Sequence, residues 1–320
     1  VSSHDPHIMF VFPGQGSQYV GMGSDLIRDF PSARQLYEQA NDILGYDLVK
    51  LCQEGPEEDL RLTRHTQPAL LTHSLACLSI FRELTENQVQ PMLAAGHSLG
   101  EYAALVAAGA LTLQEAVPLV ELRAKAMQEA VPAGAGAMAA VLGLDAERVM
   151  AACSEAAQGQ VVEAVNFNSP EQTVIAGHKA AVERAAEACK GKGAKRAVML
   201  PVSAPFHCAL MQPAADKLRI RLAEVGVSPP LTPVVNNVDV AMVGEPDGIR
   251  AALVRQAASP VRWVETMQAM RAAGVTHVFE CGPGKVLAGL VKRCADGLTG
   301  AAMSDLAGVE VALESTRAQT

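Results

Sequence analysis

The chain has 320 residues, of which 49% are hydrophobic, 19% charged and 4% aromatic, enough to bury a sizeable core in one large and one smaller unit. Its net charge of −8 argues against nucleic acid as the main partner, because such proteins concentrate basic residues to neutralise phosphates. The lack of any run of about 18 uninterrupted apolar residues excludes a transmembrane helix, and the opening residues lack the regions of a secretory signal, so the expected location is cytoplasmic.

Residues 1–7 show no periodicity and are read as lying outside the fold. An apolar strand is expected over 9–12, followed at once by Pro13-Gly14-Gln15-Gly16-Ser17-Gln18. The glycines free backbone N–H groups to face a ligand, but Tyr19 stands where a dinucleotide fingerprint needs its third glycine. Two readings of this turn stay open: one donor of an oxyanion hole, or a tight strand-to-helix connection.

A long helical region is expected to about Glu86, then a strand over 92–95 and a helix over 101–111. Between these two lies Gly96-His97-Ser98-Leu99-Gly100, the one Gly-x-Ser-x-Gly of the chain and the layout of a nucleophile elbow. A serine on so tight a turn is pushed out at the top of its strand. The helix behind it directs N–H groups, that of Leu99 first, towards any oxyanion that forms.

The rhythm changes after the glycine-rich stretch at 132–136. A strand over 138–144, a helix over 145–157, strands over 161–168 and 173–177, a helix over 179–189 and a strand over 196–202 give the order β-α-β-β-α-β. That is the ferredoxin-like unit. Strands over 234–236 and 277–280 resume the larger unit, so the fold class is α/β. A parallel-sheet core over 8–132 and 203–310 carries an inserted subdomain over 133–202, and the cleft between the two is a natural ligand site.

A serine hydroxyl needs a base. Of eight histidines, His207 follows Pro205-Phe206 where the chain returns from the inserted unit, and such a loop can bring an imidazole over the elbow; the other seven remain in play. Cys208 is read as a bystander thiol. Seven cysteines with no Cys-x-x-Cys pair indicate reduced core thiols rather than disulfides or a zinc site. Basic residues cluster at Lys190, Lys192, Lys195 and Arg196, and again at Lys285, Lys292 and Arg293. They are either solvated surface or a docking face for an acidic partner.

Phe12-Pro13-Gly14-Gln15-Gly16-Ser17-Gln18, Gly96-His97-Ser98-Leu99-Gly100-Glu101, Val165-Asn166-Phe167-Asn168, Phe206-His207 and Gly282-Pro283-Gly284 occur in this order and spacing. Together they resemble the malonyl-CoA:acyl carrier protein transacylases, over about residues 9–298. The resemblance implies an α/β-hydrolase-like core with a ferredoxin-like insertion, and a two-step transfer from malonyl-CoA to the phosphopantetheine thiol of acyl carrier protein. Ser98 would carry the malonyl group and His207 act as base. The N–H groups of Gln15 and Leu99 would hold the oxyanion, with no metal or redox cofactor.

The resemblance also implies that a backbone carbonyl near Gln256 orients the histidine in place of an aspartate. Arg123, which on sequence alone is equally a surface helix residue, matches the arginine that pairs with the free carboxylate of malonate. Gln256 and Asn166 match pocket-lining positions. Phe206 stands where fatty-acid enzymes often carry serine and malonyl-selecting polyketide acyltransferases carry phenylalanine, and its ring should disfavour branched acyl groups. Fatty-acid synthesis is the favoured pathway. A stand-alone polyketide acyltransferase, a serine esterase or thioesterase, and a non-catalytic carrier-binding module are the rivals.

Overall fold

The computed structural model describes residues 4–202 and 204–318. Residues 1–3 of the opening segment, and Ser203, where the second core segment is expected to start, lie outside the described residues. Nine strands occur among them: β1 (His4–Phe12), β2 (Gln90–Gly96), β3 (Gly136–Leu142), β4 (Val162–Ser169), β5 (Gln172–His178), β6 (Arg196–Met199), β7 (Val234–Val235), β8 (His277–Cys281) and β9 (Thr299–Met303). They form two sheets. One is parallel, in the order β7-β2-β1-β8-β9, and the other antiparallel, in the order β4-β5-β3-β6.

β1 sits at the centre of the parallel sheet, and its unbroken apolar run serves two faces at once. Ile8, Phe10 and Phe12 pack on one side, where Phe10 meets the edge of Phe81 at 5.6 Å, while Met9 and Val11 pack on the other beside Trp263 and Met267. Helices therefore cover both faces. The antiparallel sheet has its own two helices on one face, and its other face packs against Met127, Phe206 and Met211 of the larger unit. Period-two alternation in β3 turns Ala137, Ala139 and Val141 towards the helices Ala146–Ala156 and Lys179–Gly191, and sends Met138 to the face opposite. Ile175 and Val174 of β5 divide in the same way.

The β-α-β-β-α-β order is found as read, with the helix at Ala146–Ala156 capped by the Asp145 side chain on the Arg148 N–H. Several expectations need correction. His4 to His7 belong to the fold, since β1 begins at His4, which pairs with Gln90. Alternation is weak there because most of these residues are exposed. The expected long helix is five: Ser24–Asp29, Pro31–Leu44, Leu48–Glu54, Glu57–Arg61 and Thr63–Leu84. Pro31 at a helix start, and Gly45 and Gly55 at positive φ, supply three of the breaks.

The helix after the elbow ends at Ala107, with Gly109 at φ 79° in the turn beyond. β6 stops at Met199, two residues before Pro201, which cannot donate to a ladder. Asn236 leaves the sheet and uses its side chain to accept from the Asp239 N–H. β9 adds a fifth parallel strand with no strong signal in its sequence, Thr-Gly-Ala-Ala-Met. Among the described residues no helix is long and apolar enough to cross a membrane, and all seven cysteines are buried and free.

Candidate active site

The loops that leave the C-terminal ends of β1, β2, β7 and β8 meet at one end of the parallel sheet, the usual ligand position in such folds. The elbow is the tightest of them. A Cβ on Gly96 would fall 1.9 Å from the Gly100 carbonyl, and one on Gly100 would fall 2.0 Å from the Phe12 oxygen, so both positions demand glycine. Between them Ser98 takes φ 54°, a left-handed conformation that costs a non-glycine residue on the order of 1–3 kcal/mol. His207 is held at φ 66°.

These two strained residues face each other. Ser98 Oγ lies 2.6 Å from His207 Nε2, and His207 Nδ1 lies 2.8 Å from the Gln256 carbonyl oxygen. A carbonyl can only accept, so Nδ1 carries the ring proton and the Nε2 lone pair is left facing the hydroxyl. Burial, and then the charge of Arg123, lower the His207 pKa to about 3, which keeps the imidazole neutral and able to accept.

Arg123 lies in the helix Leu113–Glu129 and is 1% exposed, which corrects the surface alternative. Its Nη1 donates to Gln67 Oε1 at 2.8 Å, and its Nη2 to Gln256 Oε1 at 3.0 Å and Ser98 Oγ at 3.3 Å. The guanidinium also stands over the Tyr102 ring at 5.3 Å. Both amide partners are neutral. Among the described residues no carboxylate forms an ion pair with Arg123, so its charge stays available to an anionic ligand.

Ser98 and Arg123 open onto a cleft of about 500 Å³ between the two sheets. Gln15, Leu99, Asn166, Phe206 and His207 line it, as do Met138, Val174 and Leu287. Among the described residues neither the Gln15 nor the Leu99 N–H has an acceptor within the chain. Asn166 reaches the cleft at a register irregularity in β4, where pairing skips Val165, and its buried Oδ1 has no partner among the described residues. Gln256 stands behind the site and touches Ser98, Arg123 and His207 at once. Among the described residues no group of three or more His, Cys, Asp or Glu is placed to hold a metal ion.

Other residues at this site carried no assigned role in the sequence. Gln67 holds Arg123, and Asn168 Oδ1 meets His97 Nε2 at 2.7 Å. Asn237 and Glu101 are buried against the elbow, where burial raises the Glu101 pKa to about 8. A polar Asn236-Asn237 pair directly after a short apolar strand, at the ligand end of the sheet, is the signal that could have flagged one of them.

The family described as acyl transferase domain matches residues 9–311. The malonyl CoA-acyl carrier protein transacylase of Escherichia coli (strain K12) is 55% identical over 95% of this chain and 98% of its own. An acyl-carrier-protein S-malonyltransferase structure from Burkholderia pseudomallei is 56% identical with a TM-score of 0.93, covering 96% of this chain and 99% of its own. A structure of a holo type II PKS acyl-carrier protein in complex with its malonyl-transacylase matches at 54% identity and TM-score 0.94, covering 97% and 99%. The Ser98–His207 pair under a buried arginine thus sits in a chain that belongs to the acyl transferase family, alongside the malonyl CoA-acyl carrier protein transacylases.

Proposed function

We propose that this chain moves a malonyl group from malonyl-CoA to the phosphopantetheine thiol of acyl carrier protein, with Ser98 as the temporary carrier. The observation that carries this reading is the juxtaposition of a base-paired nucleophile with Arg123, a buried guanidinium whose side-chain acceptors among the described residues are all neutral. A hydrolase acting on neutral esters has no use for such a charge. A dicarboxylic monothioester presents a free carboxylate to it, and the planar fork meets that carboxylate with parallel hydrogen bonds.

In the first half-reaction Ser98 Oγ attacks the thioester carbonyl as His207 Nε2 takes its proton. The N–H groups of Gln15 and Leu99 serve the developing oxyanion. The C–S bond then breaks, and the departing thiolate recovers the proton from Nε2. In the second half the carrier thiol gives its proton to Nε2 and attacks the acyl ester, and Ser98 Oγ leaves and takes the proton back. These steps move protons and one acyl group, so neither a metal nor a redox cofactor enters them.

Phe206, 8% exposed at the wall of the cleft, favours unbranched malonyl over branched groups. Fatty-acid synthesis in the cytoplasm is the proposed setting. Of the basic clusters, Lys190 and Lys192 are already paired with Glu187 and Glu155, whereas Lys285, Lys292 and Arg293 flank the cleft-lining residues Val286 and Leu290. The second cluster is therefore the better contact for an acidic carrier.

Intact mass after exposure to malonyl-CoA tests the reading. The expected result is one added malonyl group on the protein, none on Ser98→Ala, and discharge on addition of holo acyl carrier protein. Steady release of free malonate without an acyl-protein would overturn it.

A further inference from the structure

The conformation of Ser98 needs a cause outside the elbow itself. The two glycines permit the turn, but a serine at φ 54° persists only where its surroundings over-determine it. Those surroundings converge on Asn237, which is 0% exposed and 139 residues away in sequence. Its Oδ1 accepts the Ser98 N–H at 2.9 Å, and its Nδ2 donates to the Gly96 carbonyl at 2.7 Å. One planar amide therefore grips the chain on both sides of His97, at the nucleophile's own N–H and at the carbonyl two residues before it.

Asn237 is itself fixed from three directions. Its own N–H donates to Glu101 Oε1 at 2.6 Å, from the first turn of the helix that follows the elbow. Its carbonyl accepts the Arg262 N–H at 3.2 Å. Its Oδ1 also receives Gln256 Nε2 at 3.3 Å, and that same Nε2 donates to the Ser98 carbonyl at 2.9 Å. The N–H, carbonyl and hydroxyl of Ser98 are thus all engaged by residues that engage one another.

We propose that Asn237, backed by Glu101, is the positioning residue that latches Ser98 in its strained conformation facing His207. It is not among the described residues that line the cleft, so it acts through Ser98 rather than on substrate. Asparagine suits the position because one side chain must accept from one backbone group and donate to another. Aspartate keeps the shape and the acceptor but loses the donor. It also sets an oxygen against the Gly96 carbonyl in a buried site, where an unmatched acceptor is costly. Glu101 needs only an oxygen for the Asn237 N–H, so a glutamine can replace it.

The proposal rests on Ser98 being the acyl carrier, and the experiment separates the two. Single-turnover acylation by malonyl-CoA, followed by intact mass, is compared for wild type, Asn237→Asp, Glu101→Ala and Glu101→Gln, with thermal midpoints and circular dichroism for each. Loss of one buried hydrogen-bond partner corresponds to about a thirtyfold slower maximal acylation rate in Asn237→Asp, with the half-saturating malonyl-CoA concentration within about threefold of wild type. Glu101→Ala should follow it and Glu101→Gln should return most of the rate. A folded Asn237→Asp protein that acylates at the wild-type rate overturns the latch alone. So does a defect confined to half-saturation, or a Glu101→Gln as slow as Glu101→Ala. Absence of acyl-Ser98 in the wild type overturns both the latch and the functional reading.

Discussion

The two sheets solve opposite problems. Between Gly136 and Met199 the buried polar side chains among the described residues are Ser169 and Thr173, and the interior there is built of alanine, valine, leucine, isoleucine and cysteine. The parallel-sheet lobe buries Gln67, His73, Glu101, Arg123, His207, Asn237, Gln256 and Glu280. Burying such groups is tolerable only when their hydrogen bonds are met, and most of those at the elbow are met by one another. The small lobe therefore supplies a wall, and the large one carries the electrostatics. The division matches the apolar Met138, Ala140 and Val174 that β3 and β5 turn to the cleft above a charged floor, with Gln172 at the start of β5 the polar exception.

Arg123→Ala attacks the floor and is the largest effect predicted from this contrast. Truncating one member of a buried charge pair costs about 2–5 kcal/mol, so malonyl transfer should fall at least roughly thirtyfold. Acetyl transfer should fall less or rise, since that acyl group has no carboxylate to lose. Rates with malonyl-CoA and acetyl-CoA, measured side by side, decide it. Equal losses on both would mean that Arg123 supports the fold of the site rather than reading the substrate.

Ile175→Ala attacks the wall instead. The side chain is 0% exposed in the small lobe's core, and its removal leaves a cavity worth about 2–5 kcal/mol of stability. The thermal midpoint should drop, yet the acylation rate of the folded protein should stay within about twofold of wild type, because no group of the polar network is touched. A rate loss comparable to that of Arg123→Ala would end the distinction between wall and floor.

The same contrast governs what the sequence makes legible. The small lobe could be read element by element because its alternation and the Asp145 cap are local signals. Ser98 was legible because an elbow is five consecutive residues, and His207, Arg123 and Gln256 came with the motifs that accompany it. Asn237 and Gln67 were not. Their partners are 139 and 56 residues distant, and a single asparagine or glutamine gives no periodic pattern that betrays such a contact. β7 and β9 escaped full description for another reason. Edge strands of two residues, or of Thr-Gly-Ala-Ala-Met, are strands only because a neighbour offers a ladder.

The smallest predicted effect is on rate against pH, and it follows from how deeply the floor is buried. His207 has its pKa lowered from 6.5 to about 3, first by burial and then by Arg123. Neutral imidazole is then the working form at pH 7.5 and at pH 5.5 alike. The single-turnover acylation rate of the folded protein should change less than about twofold between them, with no limb near 6.5. Stability should respond where rate does not. The unfolded chain binds a proton near pH 6.5 that the folded chain refuses, so this group's contribution is fully present above 6.5 and is lost as pH falls towards 3. Glu101 has the opposite sign, because its pKa is raised to about 8 and its contribution is lost as pH rises from 4.5 through 8. Thermal midpoints should accordingly fall on both sides of the interval between. Arg123→Ala removes the second cause of the His207 shift, so that variant's acid limb should move up in pH. A wild-type limb at 6.5 would show instead that water reaches the imidazole freely, and that the small lobe does not close the site.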